Sequence, residues 1–220
     1  MKLNHHPSEE LLFDYASGAI TEAWGLSVAT HLAFCSECRD KVAEIEAIGG
    51  CLLDSLELDD KGESGFVNPL KNLKNVKVDH SAGRAIRQKK PKNPMFPEPL
   101  RSYVGSDFED VKWKRLGLGL MEFKVPMKDQ KATVRLLKIP AGVTIPAHSH
   151  DGVELTQVIA GAFSDETGYY SRGDFQETDD SLTHQPHVSA EETCICLTVT
   201  SQPLKFKSLA VKAIQPFLGV

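Results

Sequence analysis

Residues 142–161 read GVTIPAHSHDGVELTQVIAG, and this stretch decides the fold of the C-terminal part of the chain. His148 and His150 stand two positions apart, and Glu154 follows four positions later. Alternate residues of a β-strand project to the same side, so a regular strand turns these three side chains toward one face. Imidazole nitrogens and carboxylate oxygens are ligands for divalent metals. The stretch therefore predicts a strand that turns three metal ligands toward one face of a β-sheet.

The residues around this stretch follow the pattern of a small β-domain that begins at about Val104. Runs rich in β-branched residues alternate with Gly, Pro and Asp turns, and strands are predicted at 133–139, 154–159, 193–200 and 204–208. Strands of this length and spacing are typical of a sandwich or a small barrel. We interpret Cys194 and Cys196, on one side of the third of these strands, as small buried core residues; two thiols near the metal are the alternative.

A fourth metal ligand is expected further along the chain. The segment GYYSRGDFQETDDSLTHQPH at 168–187 contains two glycines and offers His184 and His187. Three histidines and one carboxylate suit zinc, iron(II), manganese or nickel, so the ligand set does not name the metal. The spacing from Gly142 through the histidine pair and the glutamate to Gly161 is similar to the first motif of the cupin family at every position. The second cupin motif is matched less closely, because its proline-x-glycine turn is missing.

The first sixty residues follow a helical pattern instead. Ser8 caps a helix whose first turn holds two glutamates, and Gly18 ends it. A second helix starts at Thr21 and runs to about Phe34, and a third starts at Ser36. The apolar residues of the third helix recur at helical spacing, which predicts a buried face. They are Val42, Ile45, Leu52, Leu53 and Leu56, and Cys51 is expected to lie in the same core.

The segment HLAFCSEC gathers three further metal ligands, His31, Cys35 and Cys38. Offsets of four and seven residues fall near one helical face, and a turn near Cys35 would also bring the side chains together. A closed structural zinc site has four nitrogen or sulfur ligands, and His5 and His6 are the candidates for the fourth. A redox Cys-x-x-Cys is the alternative, but that motif normally follows a strand, and no strand is predicted here. The segment therefore predicts a Cys₂His₂ zinc site.

Charge is distributed unevenly along the chain. The net charge of −5 divides into −9 for residues 1–65, +7 for residues 66–103 and −3 for the remainder. The basic part includes KKPKNPMFPEP at 89–99, whose four prolines indicate a linker, and a short helix is predicted just before it, at 80–90. An acidic head is a poor binder of nucleic acid but suits a basic protein partner, although solvated helix faces explain the charge as well.

Together the two halves resemble the ChrR-type zinc-binding anti-sigma factors. The N-terminal pattern of that family is a histidine followed by H-x-x-x-C-x-x-C, and the 24-residue gap before His31 selects His6 over His5. The resemblance also implies zinc in the barrel, with His184 as the fourth ligand because THQP matches the family's context, and His187 as an exposed neighbour. The implied ligands are His6, His31, Cys35 and Cys38 in the head and His148, His150, Glu154 and His184 in the barrel.

These observations predict an α plus all-β protein with two domains. We expect a zinc-binding helical bundle at 1–88, a linker at 89–103 and a cupin β-barrel at 104–220. The resemblance implies that the head sequesters an extracytoplasmic-function sigma factor in a 1:1 complex. It also implies that the barrel responds to singlet oxygen or related oxidants and causes release.

Two other functions compete with this one. An iron-loaded cupin would catalyse dioxygen chemistry on a small molecule, but such an enzyme has no use for a zinc-clamped acidic head. A DNA-binding zinc finger conflicts with the −9 charge of residues 1–65.

The sequence also bears on where the protein acts. No run approaches the roughly 20 apolar residues that cross a bilayer, and MKLNHHPSEE lacks the apolar core of a secretory signal. We therefore expect a cytoplasmic regulator that is not an enzyme and binds neither membrane nor nucleic acid.

Overall fold

A computed structural model describes residues 2–56, 94–105, 107–117, 119–128 and 131–202, together with the backbone of residues 205–206. The short helix predicted at 80–90 and the first residues of the predicted linker lie outside the described residues. Among the helices in these ranges, none combines the length and the apolar character that a membrane span requires.

Three helices form the N-terminal head: α1, Glu9–Ser17; α2, Glu22–Leu32; and α3, Ser36–Asp54. The hydroxyl of Ser8 accepts a hydrogen bond from the backbone N–H of Leu11, which satisfies a donor that the first turn of α1 leaves open. Gly18 ends α1 in the left-handed conformation, at a φ of 72°, where a Cβ would add strain. The predicted helical head is confirmed, with helix ends within about two residues of those expected.

The buried face of α3 is shorter than predicted. Val42 is buried and Ile45 is half-buried, whereas Cys51 and the leucines near the C-terminal end of the helix are exposed. The prediction that these later residues belong to a core was wrong. Helical spacing identifies residues that share a face, but it does not say whether another element covers that face.

A fourth helix, α4, spans Glu98–Val104 and begins inside the predicted linker. Leu100 is fully buried, and the hydroxyl of Tyr103 donates a 3.1 Å hydrogen bond to the carboxylate of Glu22 on α2. Pro99 sits in the first turn of α4, where a missing N–H breaks no helical hydrogen bond. This end of the connector therefore packs on the head instead of crossing solvent, while the domain boundaries at 88 and 104 stay a prediction.

The C-terminal half is built from short antiparallel strands. Their bounds are β1 Lys114–Arg115, β2 Met121–Lys124, β3 Thr133–Ile139, β4 His148–Ser149, β5 Glu154–Ala160, β6 Ala162–Asp165, β7 Gly168–Ser171, β8 Phe175–Thr178, β9 His187–Val188, β10 Cys194–Thr200 and β11 Lys205–Phe206. One sheet has the order β1-β2-β3-β10-β5-β8, a second has β7-β6-β9, and β4 pairs with β11. The four predicted strands are observed within two residues of the expected ends, and the predicted β-domain is confirmed.

The long strands β5 and β10 are buried on both faces. Val158 and Cys196 belong to an apolar cluster inside the barrel. Leu155 and Leu197, on the opposite face, belong to a core that also contains Leu26 of α2. Strands covered on both sides carry apolar residues almost continuously, as the segment CICLTVT does. The head therefore packs directly against the outer face of the barrel's main sheet.

Gly161 closes the turn between β5 and β6 at a position where no side chain fits. Its φ is 74°, and a Cβ there would lie 2.4 Å from the carbonyl oxygen of Thr193. The glycine that ends the 142–161 stretch is thus required by a close approach of two backbones.

Candidate metal centres

Four side chains converge in the interior of the barrel, and we call them the barrel cluster: His148, His150, Glu154 and His184. His148 lies on β4 and Glu154 begins β5, while an isolated β-bridge pairs His148 with His184. One ligand atom from each of the four lies within 4.8 Å of every other, and all four residues are buried. The fold thus assembles the four ligands that the sequence predicted for this domain.

The imidazole rings of this cluster turn their Nε2 atoms toward one another. The Nε2 of His184 lies 3.1 Å from the Nε2 of His148 and 3.1 Å from that of His150. The carboxylate of Glu154 lies 3.2 Å from the Nε2 of His150. The cluster therefore has a common centre toward which three nitrogens and one oxygen point.

Two of these rings are held by hydrogen bonds at their other nitrogen. The Nδ1 of His148 donates to the carbonyl oxygen of Pro146 over 2.8 Å, and the Nδ1 of His184 donates to the carboxylate of Asp165 over 2.8 Å. A proton held at Nδ1 leaves a lone pair on Nε2, which is the arrangement found in metal-binding histidines. Both rings are thus fixed in the tautomer that can bind a metal at the centre.

The charge states of the barrel cluster also suit a cation. Burial lowers the pKa of His148 to about 4 and that of His150 to about 3, so both rings are neutral near pH 7. Burial raises the pKa of Glu154 to about 7, because the loss of water around its carboxylate outweighs the opposing effects of His184 and Arg135. Facing lone pairs and a desolvated carboxylate repel one another unless a positive charge lies between them. The donor set therefore fits a divalent metal ion.

A second group of four, the head cluster, lies where α2 ends and α3 begins: His6, His31, Cys35 and Cys38. His31 sits in the last turn of α2, Cys35 is the N-cap of α3, and Cys38 lies in its first turn. The Nδ1 of His6 lies 3.4 Å from the sulfur of Cys35 and 3.3 Å from that of Cys38, and the Nε2 of His31 lies 3.3 Å from the Cys38 sulfur. A turn, and not one continuous helix, brings these ligands together.

The two N-terminal histidines have different surroundings. His6 joins the head cluster, whose ligand atoms all lie within 4.8 Å of one another. The ring of His5 instead contacts the ring of Tyr170 of the barrel at a tilt of 35°, with 4.2 Å between centroids, and its Nε2 donates to the carbonyl oxygen of Tyr169 over 3.1 Å. The geometry therefore brings together the ligand set that contains His6 and leaves His5 as a contact between head and barrel.

The electrostatics of the head cluster also favour a bound cation. Burial lowers the pKa of His31 to about 4, so this ring is neutral, and its Nδ1 donates to the carbonyl oxygen of Gly173 over 3.0 Å. Burial and the neighbouring Cys35 raise the pKa of Cys38 to about 12, so its thiolate forms near pH 7 only if a cation stabilises it. Two sulfur and two nitrogen donors fit a closed tetrahedral zinc site.

Sequence reasoning missed the residues that hold the ligands in place. Asp165 accepts hydrogen bonds from His184, Thr167 and Gln176. Burial alone would raise the pKa of Asp165, but these hydrogen bonds outweigh burial and hold the pKa well below its usual range. Asp174 accepts hydrogen bonds from backbone N–H groups next to His6. The available signal was weak: two aspartates among the turn residues of 165–174, where aspartate is ordinary.

The remaining candidates lie outside both clusters. His187 is exposed, and its Nδ1 lies 2.7 Å from the hydroxyl of Thr144. Cys194 and Cys196 are buried with their sulfurs 3.5 Å apart, and both belong to the apolar cluster inside the barrel. Their burial agrees with the interpretation as core residues.

One surface of the head is unusually apolar, and we call it the α3 apolar surface. Its members lie near the C-terminal end of α3 and are 63% to 69% exposed: Ile48, Leu52, Leu53 and Leu56. Ile48 and Leu52 are spaced by four residues and share one side of α3, while Leu53 and Leu56 lie close to the end of the helix at Asp54. Grouped exposed aliphatic side chains of this kind are typical of contact surfaces.

Comparison with known proteins gives the context for both clusters. The pattern of the ChrR cupin-like domain matches residues 102–204. The anti-sigma-E factor ChrR of Cereibacter sphaeroides is 38% identical over 221 residues, covering 100% of both chains. A chain in the crystal structure of Rhodobacter sphaeroides SigE in complex with the anti-sigma ChrR is 37% identical, with a TM-score of 0.75 over 90% of this chain and 99% of that chain. Since the identity extends along its full length, the chain belongs to the ChrR family of anti-sigma factors.

Proposed function

We propose that this chain binds an extracytoplasmic-function sigma factor through its helical head, in a 1:1 complex. A change at the barrel cluster under oxidative stress of the singlet-oxygen type then releases the sigma factor. The protein acts in the cytoplasm as a regulator without catalytic turnover, and it contacts neither nucleic acid nor membrane. The ChrR relative, whose solved complex contains SigE, supports the choice of partner.

The observation that carries this proposal is the α3 apolar surface. Within the part of the chain that the structure describes, these four aliphatic side chains are each more than 60% exposed and belong to no core. Grouped exposed apolar side chains are typical of protein interaction sites, because a partner that covers them removes apolar area from water. The −9 charge of residues 1–65 adds a long-range attraction for a basic partner, which speeds the encounter.

Replacing Leu52 with aspartate tests the docking surface. Because this side chain is 64% exposed, the change should leave the stability of the free chain within about 0.5 kcal/mol of the wild type. Burying a charge in the complex should cost about 2 kcal/mol or more, which weakens sigma binding by at least about thirtyfold. Isothermal titration of each full-length variant with the cognate sigma factor measures this effect.

Tyr169→Asp is the matched control, because Tyr169 is 58% exposed but lies on β7 of the barrel. Its sigma affinity should equal that of the wild type. If Leu52→Asp bound as tightly as Tyr169→Asp, the α3 apolar surface would not be the docking site.

We propose zinc as the metal of the head cluster, with His6, His31, Cys35 and Cys38 as ligands. Thiolate donors favour zinc among the common divalent ions, and the closed set of four suits a structural role. For the barrel cluster we propose zinc as well, with His148, His150, Glu154 and His184 as ligands. Iron, manganese and nickel are the alternatives there, because three imidazoles and a carboxylate bind all of them.

We also propose that residues 1–88 form the part that represses. All four proposed zinc ligands of the head lie within residues 6–38, and the α3 apolar surface ends at Leu56. A 1–88 fragment should bind the sigma factor within about tenfold, or about 1.4 kcal/mol, of the full chain. It should unfold more easily, because α2 packs against β5 and β10 of the barrel and loses this cover in the fragment.

Titration calorimetry and a thermal melt of the zinc-loaded fragment provide both measurements. A folded, zinc-loaded fragment that fails to bind would assign part of the docking surface to the barrel.

A further inference from the structure

Strand β8 lies between the two clusters and contacts both. Its first two side chains point in opposite directions, as successive residues of a strand do. The ring of Phe175 makes an edge contact with the ring of His31, at 5.6 Å between centroids, and belongs to the core shared with the head. Gln176 points to the other side and reaches Asp165, the hydrogen-bond partner of His184. One short strand thus presents a neighbouring side chain to each cluster.

The contact with the barrel cluster runs through a single carboxylate oxygen. The Oδ2 atom of Asp165 accepts a 2.8 Å hydrogen bond from the Nδ1 of His184 and a 2.7 Å hydrogen bond from the side-chain amide of Gln176. The same amide nitrogen also donates to the hydroxyl of Thr167 over 2.8 Å. Because His184 and Gln176 share this oxygen, a shift or rotation of the His184 ring changes the geometry of the Gln176 bond as well.

The contact with the head cluster runs through the backbone just before and at the start of β8. The carbonyl oxygen of Gly173 accepts the 3.0 Å hydrogen bond from the Nδ1 of His31. The carboxylate of Asp174 accepts the backbone N–H groups of Asn4 and His5 at 2.9 Å and 3.1 Å. The backbone N–H of Phe175 donates to the carbonyl oxygen of His5 over 3.2 Å. Residues 173–175 therefore position His31 directly, and they also hold the backbone segment that precedes His6.

The connection between these two ends has little room to move. Asp174, Phe175 and Gln176 are each 3% exposed or less. Gly173 has a φ of 94°, and a Cβ there would lie 2.8 Å from the side chain of Leu3. Densely packed interiors transmit a displacement instead of absorbing it. The contacts along β8 therefore form a closely packed route from Asp165 to His31.

We propose that residues 173–176, together with Asp165, couple the occupancy of the barrel cluster to the metal affinity of the head cluster. The inference rests on the proposed binding of metal at both clusters. His184, if it held a metal at the barrel centre, would keep its ring fixed against Asp165 and so keep Gln176 in place. Strand β8 would then hold His31 in its binding orientation. Such coupling is reciprocal, so metal at each cluster strengthens binding at the other by the same factor.

Cobalt(II) titration of the full-length chain tests the coupling. Only the head cluster offers thiolates, so the thiolate-to-cobalt charge-transfer absorption reports the head site alone. The barrel is emptied by the pair His148→Ala and His150→Ala, which leaves His184 and Asp165 in place. Emptying the barrel should weaken cobalt binding at the head by about fivefold, the lower end of typical coupling between sites. In a chain that also carries Gln176→Met, emptying the barrel should alter the cobalt affinity of the head cluster by less than about twofold.

Thr178→Val is the matched control. Thr178 lies on the same strand, is buried, and its hydroxyl makes no hydrogen bond within the described residues. This variant should keep the fivefold difference. A merely structural role for Gln176 would weaken the head site equally with the barrel filled and empty, so only the difference between the two states reports coupling.

Asp174→Asn is a second test variant, because it weakens the contact of β8 with the backbone of Asn4 and His5. It should also abolish the fivefold difference in cobalt affinity, and it replaces Gln176→Met if that variant does not fold.

Metal analysis of the wild type separates the possible failures. Fewer than two metal ions per chain would contradict the proposed metal binding itself. Two ions per chain with a head affinity that ignores the state of the barrel would overturn the coupling alone. Persistence of the fivefold difference in both Gln176→Met and Asp174→Asn would show that coupling exists but takes another route, which also overturns this proposal.

Discussion

Replacing Cys38 with serine is expected to abolish sigma binding by the full-length chain. Cys38 is fully buried, and its sulfur lies 3.3 Å from the facing nitrogens of both His6 and His31. A serine hydroxyl is a much poorer zinc ligand than a thiolate. Structural zinc contributes on the order of 10 kcal/mol to the folding of small zinc domains, which is comparable to the whole stability of a typical domain. Loss of the ion should therefore unfold the helices that present the α3 apolar surface.

Zinc content and sigma affinity of the purified chain measure this effect. We expect one zinc ion in place of two and no detectable heat of binding. Cys51→Ser is the control, because Cys51 also lies on α3 but is exposed and belongs to neither cluster. That variant should bind two ions and the sigma factor as the wild type does. A Cys38→Ser chain that lacked head zinc yet still bound its partner would show that the ion has no structural role.

Local patterns predicted the elements and the ligands well. Ser8 and Gly18 predicted the ends of α1, because capping depends on residues within one turn. The spacing of the histidine pair and the glutamate identified three members of the barrel cluster, and the next motif supplied His184. The single regular strand predicted for the first three was wrong, because His148 lies on β4 and Glu154 begins β5. Strands of two residues, such as β1 and β4, were missed because two residues are too few to show a periodicity.

The packing of the head on the barrel was not predicted, because it depends on residues far apart in the chain. The proline-rich segment before α4 suggested a solvated linker, yet Phe96 of this segment is buried in the shared core and α4 packs against α2. The one available signal lay in β10, where Ile195, Leu197 and Val199 alternate with the residues that face the interior of the barrel. An apolar outer face on a barrel strand indicates that something covers it, but not what.

The orienting residues were missed for a related reason. Asp165 binds His184, which is 19 residues away, and Asp174 binds the backbone of Asn4 and His5, which precede His6 at the other end of the chain. Single aspartates in turns are too common in sequences to indicate such contacts. Only the folded arrangement distinguishes them from ordinary turn residues.

Replacing Glu154 with alanine is expected to leave repression intact and to block induction by singlet oxygen. Glu154 is buried in the interior of the barrel and belongs to neither the head cluster nor the α3 apolar surface. Repression should therefore persist. The carboxylate is the one oxygen donor among four proposed ligands, and a change in its bond to the metal alters the centre without removing the three histidines. When Glu154 is absent, an oxidant cannot alter the bond between this carboxylate and the metal, so the sigma factor should not be released.

The energy required of the barrel is modest. A tenfold release of the sigma factor needs about 1.4 kcal/mol of differential stability between the two arrangements of the chain. Exchange of one ligand at a buried metal centre is sufficient for this, since even one charge-assisted hydrogen bond contributes about 1.5–3 kcal/mol. The contacts of β8 with both clusters give this energy a physical route to the head.

A reporter strain that carries a sigma-dependent promoter measures both halves of the prediction. In the dark, Glu154→Ala should repress as the wild type does, and under light with a photosensitiser it should show no increase in reporter activity. His148→Ala removes a different ligand and should behave in the same way, while Thr178→Val, paired directly with Glu154 across β5 and β8, should respond normally. Normal induction in both ligand variants would remove the sensing role of the barrel. Turnover of an added diketone by iron-loaded protein would instead favour the dioxygenase alternative, because a sensor needs only one event per release whereas an enzyme must regenerate its centre after each reaction.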